Sequence, residues 1–226
     1  MEIVRMTYAG GLRQAWHTHD EPSLSLVVRG DVVETIAQGS GRAAAGDVIV
    51  KPARVPHDDL YGPDGARLYT LLADADPGAY RLIAGGAPAA LFLRMIGEWR
   101  EGAPFREIAV DLLASLFRDA VRPRRTAALR DLAVRAASTS VSVEELARER
   151  SMHPVALARA FRREFGCSIT AYRRRMRVQR AMELLATGAP LADVALESGF
   201  ADQSHLCRIF RAETGTTPSH FRRLAV

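Results

Sequence analysis

A ten-residue segment near the C-terminal end of the chain occurs twice. Residues 157–166 read Leu157-Ala158-Arg159-Ala160-Phe161-Arg162-Arg163-Glu164-Phe165-Gly166, and residues 206–215 read Leu206-Cys207-Arg208-Ile209-Phe210-Arg211-Ala212-Glu213-Thr214-Gly215. Six positions coincide at a constant offset of 49. The match continues through Ser168 with Thr217, Tyr172 with Phe221, Arg173 with Arg222 and Arg174 with Arg223. Leu146-Ala147 and Val194-Ala195 precede the two segments at nearly equal distances. Two copies of one supersecondary unit are the simplest account.

The unit reads as a helix-turn-helix. Ala147 and Ala195 are small enough for two helices to cross closely, and Ser151-Met152 and Gly199-Phe200 make the turns, where Gly suits positive φ. Leu157 with Phe161, and Leu206 with Phe210, are four apart and face the core. Arg159 and Arg208 follow the core leucine by two residues, roughly 200° around the helix, and point outward. An outward arginine on the second helix of such a unit can reach guanine edges or phosphates in a major groove.

Charge separates the chain in the same place. Residues 1–122 carry 16 acidic and 13 basic side chains, whereas residues 123–226 carry 18 arginines against 10 acids. A basic rear half fits a polyanionic partner. Arg162, Arg163, Arg173 and Arg211 are the phosphate-contact candidates.

The rear segment resembles the AraC/XylS family of bacterial transcription regulators over residues 125–223. The motifs are Leu146-Ala147, Leu157-x-Arg159-x-Phe161, Gly166-x-Ser168-x3-Tyr172, Arg177-x3-Ala181-x2-Leu184-Leu185, Val194-Ala195-x3-Gly199-Phe200-x-Asp202-Gln203-Ser204-x-Leu206-x-Arg208-x-Phe210 and Gly215-x-Thr217-Pro218-Ser219-x-Phe221-Arg222. The resemblance implies seven helices, in which a long linker helix, here Thr170 to Ala186 with Gly188 past its end, holds both units. It implies reading helices about 34 Å apart, one turn of B-DNA. It places Val155, Ala158 and Arg159 of the first unit, and Gln203, Ser204, Cys207 and Arg208 of the second, toward the groove. Val155 and Ala158 offer apolar contact only, while Gln203 suits adenine and the arginines guanine, so polar base specificity is expected mostly from the second unit. One position departs from the pattern: His153 stands where Ser or Thr usually caps the first reading helix, while Asp202 caps the second.

The front half has a different texture. Short apolar runs (Ile3-Val4, Leu24 to Val28, Val32 to Ala37, Val48 to Val50, Leu68 to Leu72) alternate with turn signals at Gly10-Gly11, Arg29-Gly30-Asp31, Gln38 to Gly41, Lys51-Pro52 and Gly62 to Gly65. This spacing predicts a small antiparallel barrel or sandwich over residues 1–76. From Pro88 the period becomes helical, with Leu91, Met95 and Trp99 four apart and a stop near Gly102, then Ile108, Leu112, Leu113 and Leu116. This pair packs on the barrel or on a second copy of the chain; the sequence does not choose. Arg122-Pro123-Arg124-Arg125 marks the break before the rear domain. Leu129, Leu132, Ala133 and Ala136 suggest a further helix, and Ser142 with Glu145 reads as a capping box.

The architecture expected is therefore α+β and multidomain: a sensor barrel over 1–76, a helical connector over 77–122 and an all-α domain with two helix-turn-helix units over 123–226. Residues 16–57 also resemble a cupin barrel. Gly10 or Gly11 precedes His17-Thr18-His19, Gly30 follows, and Gly46-x5-Pro52-x4-His57 matches the second cupin motif except for Arg54 in place of Gly. His17, His19 and His57 together are a metal-ligand candidate, and three imidazoles suit Zn, Fe, Mn, Ni or Cu. The glutamate of the pattern falls at Ser23, with Glu21 two residues early, so metal-dependent catalysis lacks its carboxylate.

These features imply an effector-responsive, sequence-specific transcription regulator rather than an enzyme. Its partners would be double-stranded DNA, RNA polymerase, a small-molecule or metal effector, and a second copy of the chain through residues 88–121. The rival reading, a cupin metalloenzyme fused to a regulatory domain, has the histidines alone in its favour. A third has a purely structural front domain. No G-x-S-x-G, phosphate loop or dinucleotide fingerprint occurs. Cys167 and Cys207 lack metal-like spacing, no run approaches 18 apolar residues, and Met1-Glu2-Ile3-Val4-Arg5 lacks a signal core, so the expected location is the cytoplasm.

Overall fold

The computed structural model describes residues 1–119, 141–165 and 167–225. The break at 122–125 and the helix expected over 129–136 lie outside the described residues. Two compact units result, one holding residues 1–120 and 178–226, the other residues 121–177.

The first unit begins with seven strands: β1 (Glu2–Tyr8), β2 (Arg13–His17), β3 (Ser23–Ile36), β4 (Gly39–Ala44), β5 (Asp47–Lys51), β6 (His57–Leu72) and β7 (Arg81–Ala84). They pair antiparallel in the order β1-β6-β3-β5-β7, with β2 also on β6 and β4 also on β3.

Two expected turns are not turns. Arg29-Gly30-Asp31 lies inside the 14-residue β3, and Gly62 to Gly65 lies inside the 16-residue β6. The β3/β6 register instead shifts between Val27 and Arg29 and between Gly30 and Val32. The cause is a close backbone crossing. Gly30 and Gly65 have φ of 67° and 71°, and a Cβ on Gly30 would sit 1.8 Å from the Gly65 carbonyl oxygen. A bulge reverses which face successive side chains occupy. In β3 the inner apolar cluster takes Val27 before the bulge and Val32 after it; in β6 it takes Tyr61 before and Ala66 and Leu68 after. Gly39 to Gly41 is likewise strand, paired with Glu34 to Ile36, and Ala37-Gln38 makes the hairpin.

The outer sheet face (Leu24, Leu26, Val28, Val48, Val50, Tyr69, Leu71) is covered by α1 (Gly86–Arg100) and α2 (Arg106–Asp119). Phe92, Leu93, Met95, Ile96, Leu112 and Leu116 join that core, so the connector packs on its own barrel. α1 ends before Gly102, which has φ of 72°. The same core continues into α6 (Leu191–Glu197), α7 (Gln203–Thr214) and α8 (Pro218–Ala225). Barrel, connector and second helix-turn-helix thus share one interior.

The second unit holds α3 (Val143–Glu149) and α4 (Pro154–Phe165), with its own core of Leu146, Ala147, Leu157, Phe161, Cys167 and Ile169. α5 (Ile169–Ala186) is the expected linker helix; its residues from Val178 onward belong to the first unit.

Candidate nucleic-acid interface and barrel cavity

The repeat is physical as well as textual. In the first copy Phe161 meets Tyr172 edge to face at 5.5 Å, and in the second Phe210 meets Phe221 at 5.8 Å. Met152 N–H donates to the Ala147 carbonyl at 2.9 Å, and Phe200 N–H to the Ala195 carbonyl at 2.8 Å. Ser168 Oγ accepts from Ala171 N–H at 3.1 Å, and Thr217 Oγ1 from His220 N–H at 3.2 Å, so each following helix is capped alike. Arg173 donates to the Val141 carbonyl and Arg222 to the Ala189 carbonyl. These two arginines brace each unit to the residue before its first helix. Arg173 therefore has a structural task that composition did not reveal.

The turns differ by one residue. Met152 matches Phe200 at an offset of 48, whereas His153 matches Asp202 at 49, so Ala201 is extra. Ser151, with φ of 52°, takes the left-handed conformation that Gly199 takes at 79°. The expected capping box is present: Glu145 N–H donates to Ser142 Oγ at 3.0 Å and Ser142 N–H to Glu145 Oε2 at 2.7 Å. Asp202 Oδ1 accepts from His205 N–H at 2.7 Å. His153 caps too, its Nδ1 accepting from Val155 N–H at 3.3 Å.

With Leu157, Phe161, Leu206 and Phe210 inside, the opposite helix faces are open. Val155, Ala158 and Arg159 are exposed on α4, beside Arg162 and Arg163. Gln203, Ser204 and Arg208 are exposed on α7, beside Arg211, and Cys207 is half-buried. Each helix so presents an arginine-bearing face on which its expected groove residues are exposed, Cys207 excepted.

The barrel contains a cavity of about 410 Å³ lined by Tyr8, His19, Glu34, Lys51, Asp59 and Tyr61 among others. β2 and β6 set His17 opposite His57, and His19 follows on the loop, so the three ring systems meet with one nitrogen of each within 4.8 Å of the others. Sequence reasoning missed the charged groups beside them. Lys51 Nζ lies 2.9 Å from His57 Nε2 and 2.9 Å from Glu34 Oε1, and Tyr80 donates to Glu34 Oε2 at 2.7 Å. Glu34 pairs in register with Asp59 across β3/β6, and Ser23 with Lys51 across β3/β5. The missed signal was strand alternation: His57, Asp59 and Tyr61 share a face.

Burial sets the electrostatics. His57 is fully buried, and that desolvation, reinforced by the Lys51 charge, lowers its pKa to about 4. His19 is lowered by the same two causes. Asp59 is raised, first by desolvation and then by Glu34, against the pull of Lys51. Burial also raises Tyr61 and Tyr80.

A family model described as a helix-turn-helix domain matches residues 146–224. The arabinose operon regulatory protein of Escherichia coli K12 is 33% identical over 87 residues, which is 38% of this chain and 30% of that protein. The chain thus matches less than a third of that relative's length. The HTH-type transcriptional activator RhaR of Escherichia coli O1:K1 is 27% identical, covering 93% of this chain and 87% of that one. The structure of ToxT from Vibrio cholerae covers 99% of both chains at 12% identity and a TM-score of 0.43. Residues 146–224 thus match a helix-turn-helix domain, built here as duplicated units with the same cores, caps and arginine braces, and the chain is similar to two transcription regulators.

Proposed function

We propose that this chain is a sequence-specific regulator of transcription that binds duplex DNA through α4 and α7 and receives an effector in its barrel cavity. The observation that carries the reading is the pair of exposed faces: Val155, Ala158 and Arg159 on one unit, Gln203, Ser204, Cys207 and Arg208 on the other. Their chemistry suits base edges in a major groove, and flanking arginines suit phosphates. Similarity to a regulatory protein and to a transcriptional activator supports it.

The mechanism follows from the shared interior of the first unit. A ligand that favours one arrangement of the barrel biases the helices packed on it, by no more than its difference in affinity for the two arrangements. Effector binding thereby changes how α7 engages DNA. The cavity takes a small molecule, and its polar floor selects one able to hydrogen-bond.

Selection of bound sequences from random duplexes tests the reading. The wild-type chain is expected to enrich a bipartite site. Arg208→Ala should relax specificity at one half-site by about 1–3 kcal/mol and Arg159→Ala at the other, with the more polar preference belonging to α7. Equal loss at both half-sites from either substitution contradicts the assignment.

A further inference from the structure

The imidazole cluster in the barrel already contains a cation. His57 Nδ1 sits 2.8 Å from the Val55 carbonyl oxygen and so carries the hydrogen, which leaves Nε2 as the acceptor. That lone pair, the one a metal would use, faces Lys51 Nζ at 2.9 Å. The ammonium also pairs with Glu34 at 2.9 Å and stands 4.0 Å from Asp59 Oδ2. Its side chain is only 11% exposed, so it is built into the site. His17 donates through Nδ1 to the Ala15 carbonyl at 2.8 Å, which turns its own Nε2 lone pair toward the cluster, 4.0 Å from Asp59 Oδ2. His57 Nε2 is 3.8 Å from the same oxygen.

Asp59 supplies the second observation. Its side chain is 4% exposed, it lines the cavity, and its Oδ1 is buried with no hydrogen-bond partner among the described residues. A buried carboxylate oxygen without a donor is costly, and it leaves an acceptor open to a ligand atom.

We propose that Lys51 is the resident cation of the His17, His19 and His57 cluster, its ammonium holding the place of a divalent metal, and that Asp59 is the carboxylate that completes a metal site once that ammonium is removed. Three arguments carry this. A dication would have to displace the ammonium from both His57 and Glu34, because two positive charges at such separations repel in a site of low dielectric. The three imidazoles converge to within 4.8 Å, somewhat wider than a metal with bonds of about 2.0–2.1 Å would draw them. Removing Lys51 alone would strand Glu34 and Asp59 as uncompensated buried carboxylates, and a divalent cation restores the balance. Ser23, the register partner of Lys51, is too short to compete for the space. The proposal concerns the barrel alone and stands or falls apart from the DNA-binding reading.

The test is cobalt(II) binding to the untagged full chain, read by visible absorption and by metal content after gel filtration. Wild type should retain no stoichiometric metal. Lys51→Met should bind about one equivalent, at least about tenfold more tightly than wild type, with the intense absorption of a four- or five-coordinate ion. Adding His57→Ala should abolish that uptake, and adding Asp59→Asn should weaken it about tenfold or more. The double variant Lys51→Met/Glu34→Gln removes the ion pair together, and serves if the single variant does not fold. One equivalent bound to wild type and lost with His57→Ala overturns the proposal whatever the variants do. So does a folded Lys51→Met or Lys51→Met/Glu34→Gln protein that takes up no more metal than wild type.

Discussion

Three residues show how local chemistry decides what the sequence leaves ambiguous. Gly30 reads as a turn residue because glycine usually is one, yet it sits where two long strands cross backbone to backbone. Gly30→Ala combines positive-φ strain of about 1–2 kcal/mol with an overlap that must push the strands apart. It should cost at least about 2 kcal/mol in urea denaturation. At Ser151 the opposite change helps. Its φ of 52° is the conformation its repeat mate Gly199 takes, so Ser151→Gly should raise stability by up to about 1 kcal/mol. His153 reads as a weak cap, and a cap it is, through Nδ1. His153→Asp should add about 0.5–1 kcal/mol, since Asp is a preferred cap and its charge favours the helix start.

Elements differ in how legible they are. The helix-turn-helix units were readable because everything they need lies within about 30 residues and recurs at one period, so core and surface follow from spacing. The barrel's charged cluster was not. Glu34, Lys51, His57 and Asp59 come from β3, β5 and β6, and the bulge at Gly30 reverses alternation along β3, so a two-residue period read straight through it assigns faces wrongly. β5 illustrates a second long-range effect. At one end is Lys51, in the cavity; at the other is Asp47, which accepts from Ala44 N–H at 2.9 Å and from Gln179 Nε2 of α5 at 3.0 Å.

Burial raises the Asp47 pKa from 3.8 to about 6. Between those values the folded chain holds a proton that the unfolded chain has lost, so this group's contribution to stability falls as the pH rises from about 4 to 6. His57, lowered to about 4, has the opposite slope: its contribution is complete above pH 6.5 and lost as the pH falls toward 4. Comparing wild type with Asp47→Asn cancels the histidine. The stability difference should shift by up to about 3 kcal/mol between pH 4 and 7, moving in favour of the variant as the pH rises. A pH-independent difference would place Asp47 in a normal carboxylate environment.

At the scale of the whole molecule, the connector helices needed the structure, because an apolar stripe fits a sheet or a second protomer equally well. Their buried residues join the core beneath the second helix-turn-helix, as do polar ties such as Arg67 to the Ala225 carbonyl at 2.9 Å. In the proposed function, this continuity is the physical route from an effector in the barrel to α7. In the proposed function, the basic rear domain makes DNA binding salt-dependent. Arg162→Ala, Arg163→Ala and Arg211→Ala should each reduce the slope of log affinity against log salt by about 1 if the side chain meets a phosphate. Arg173→Ala should instead lower stability by about 1–2 kcal/mol, because its guanidinium braces Val141.

Hydroxyl-radical footprinting of the full chain on its selected duplex bears most directly on the central claim. Two protected tracts about one helical turn apart, roughly 10–10.5 base pairs, are expected on one face of the DNA. Arg159→Ala should weaken one tract and Arg208→Ala the other. A single tract, or two tracts on opposite faces of the duplex, would contradict the seating of both repeated helices in successive grooves.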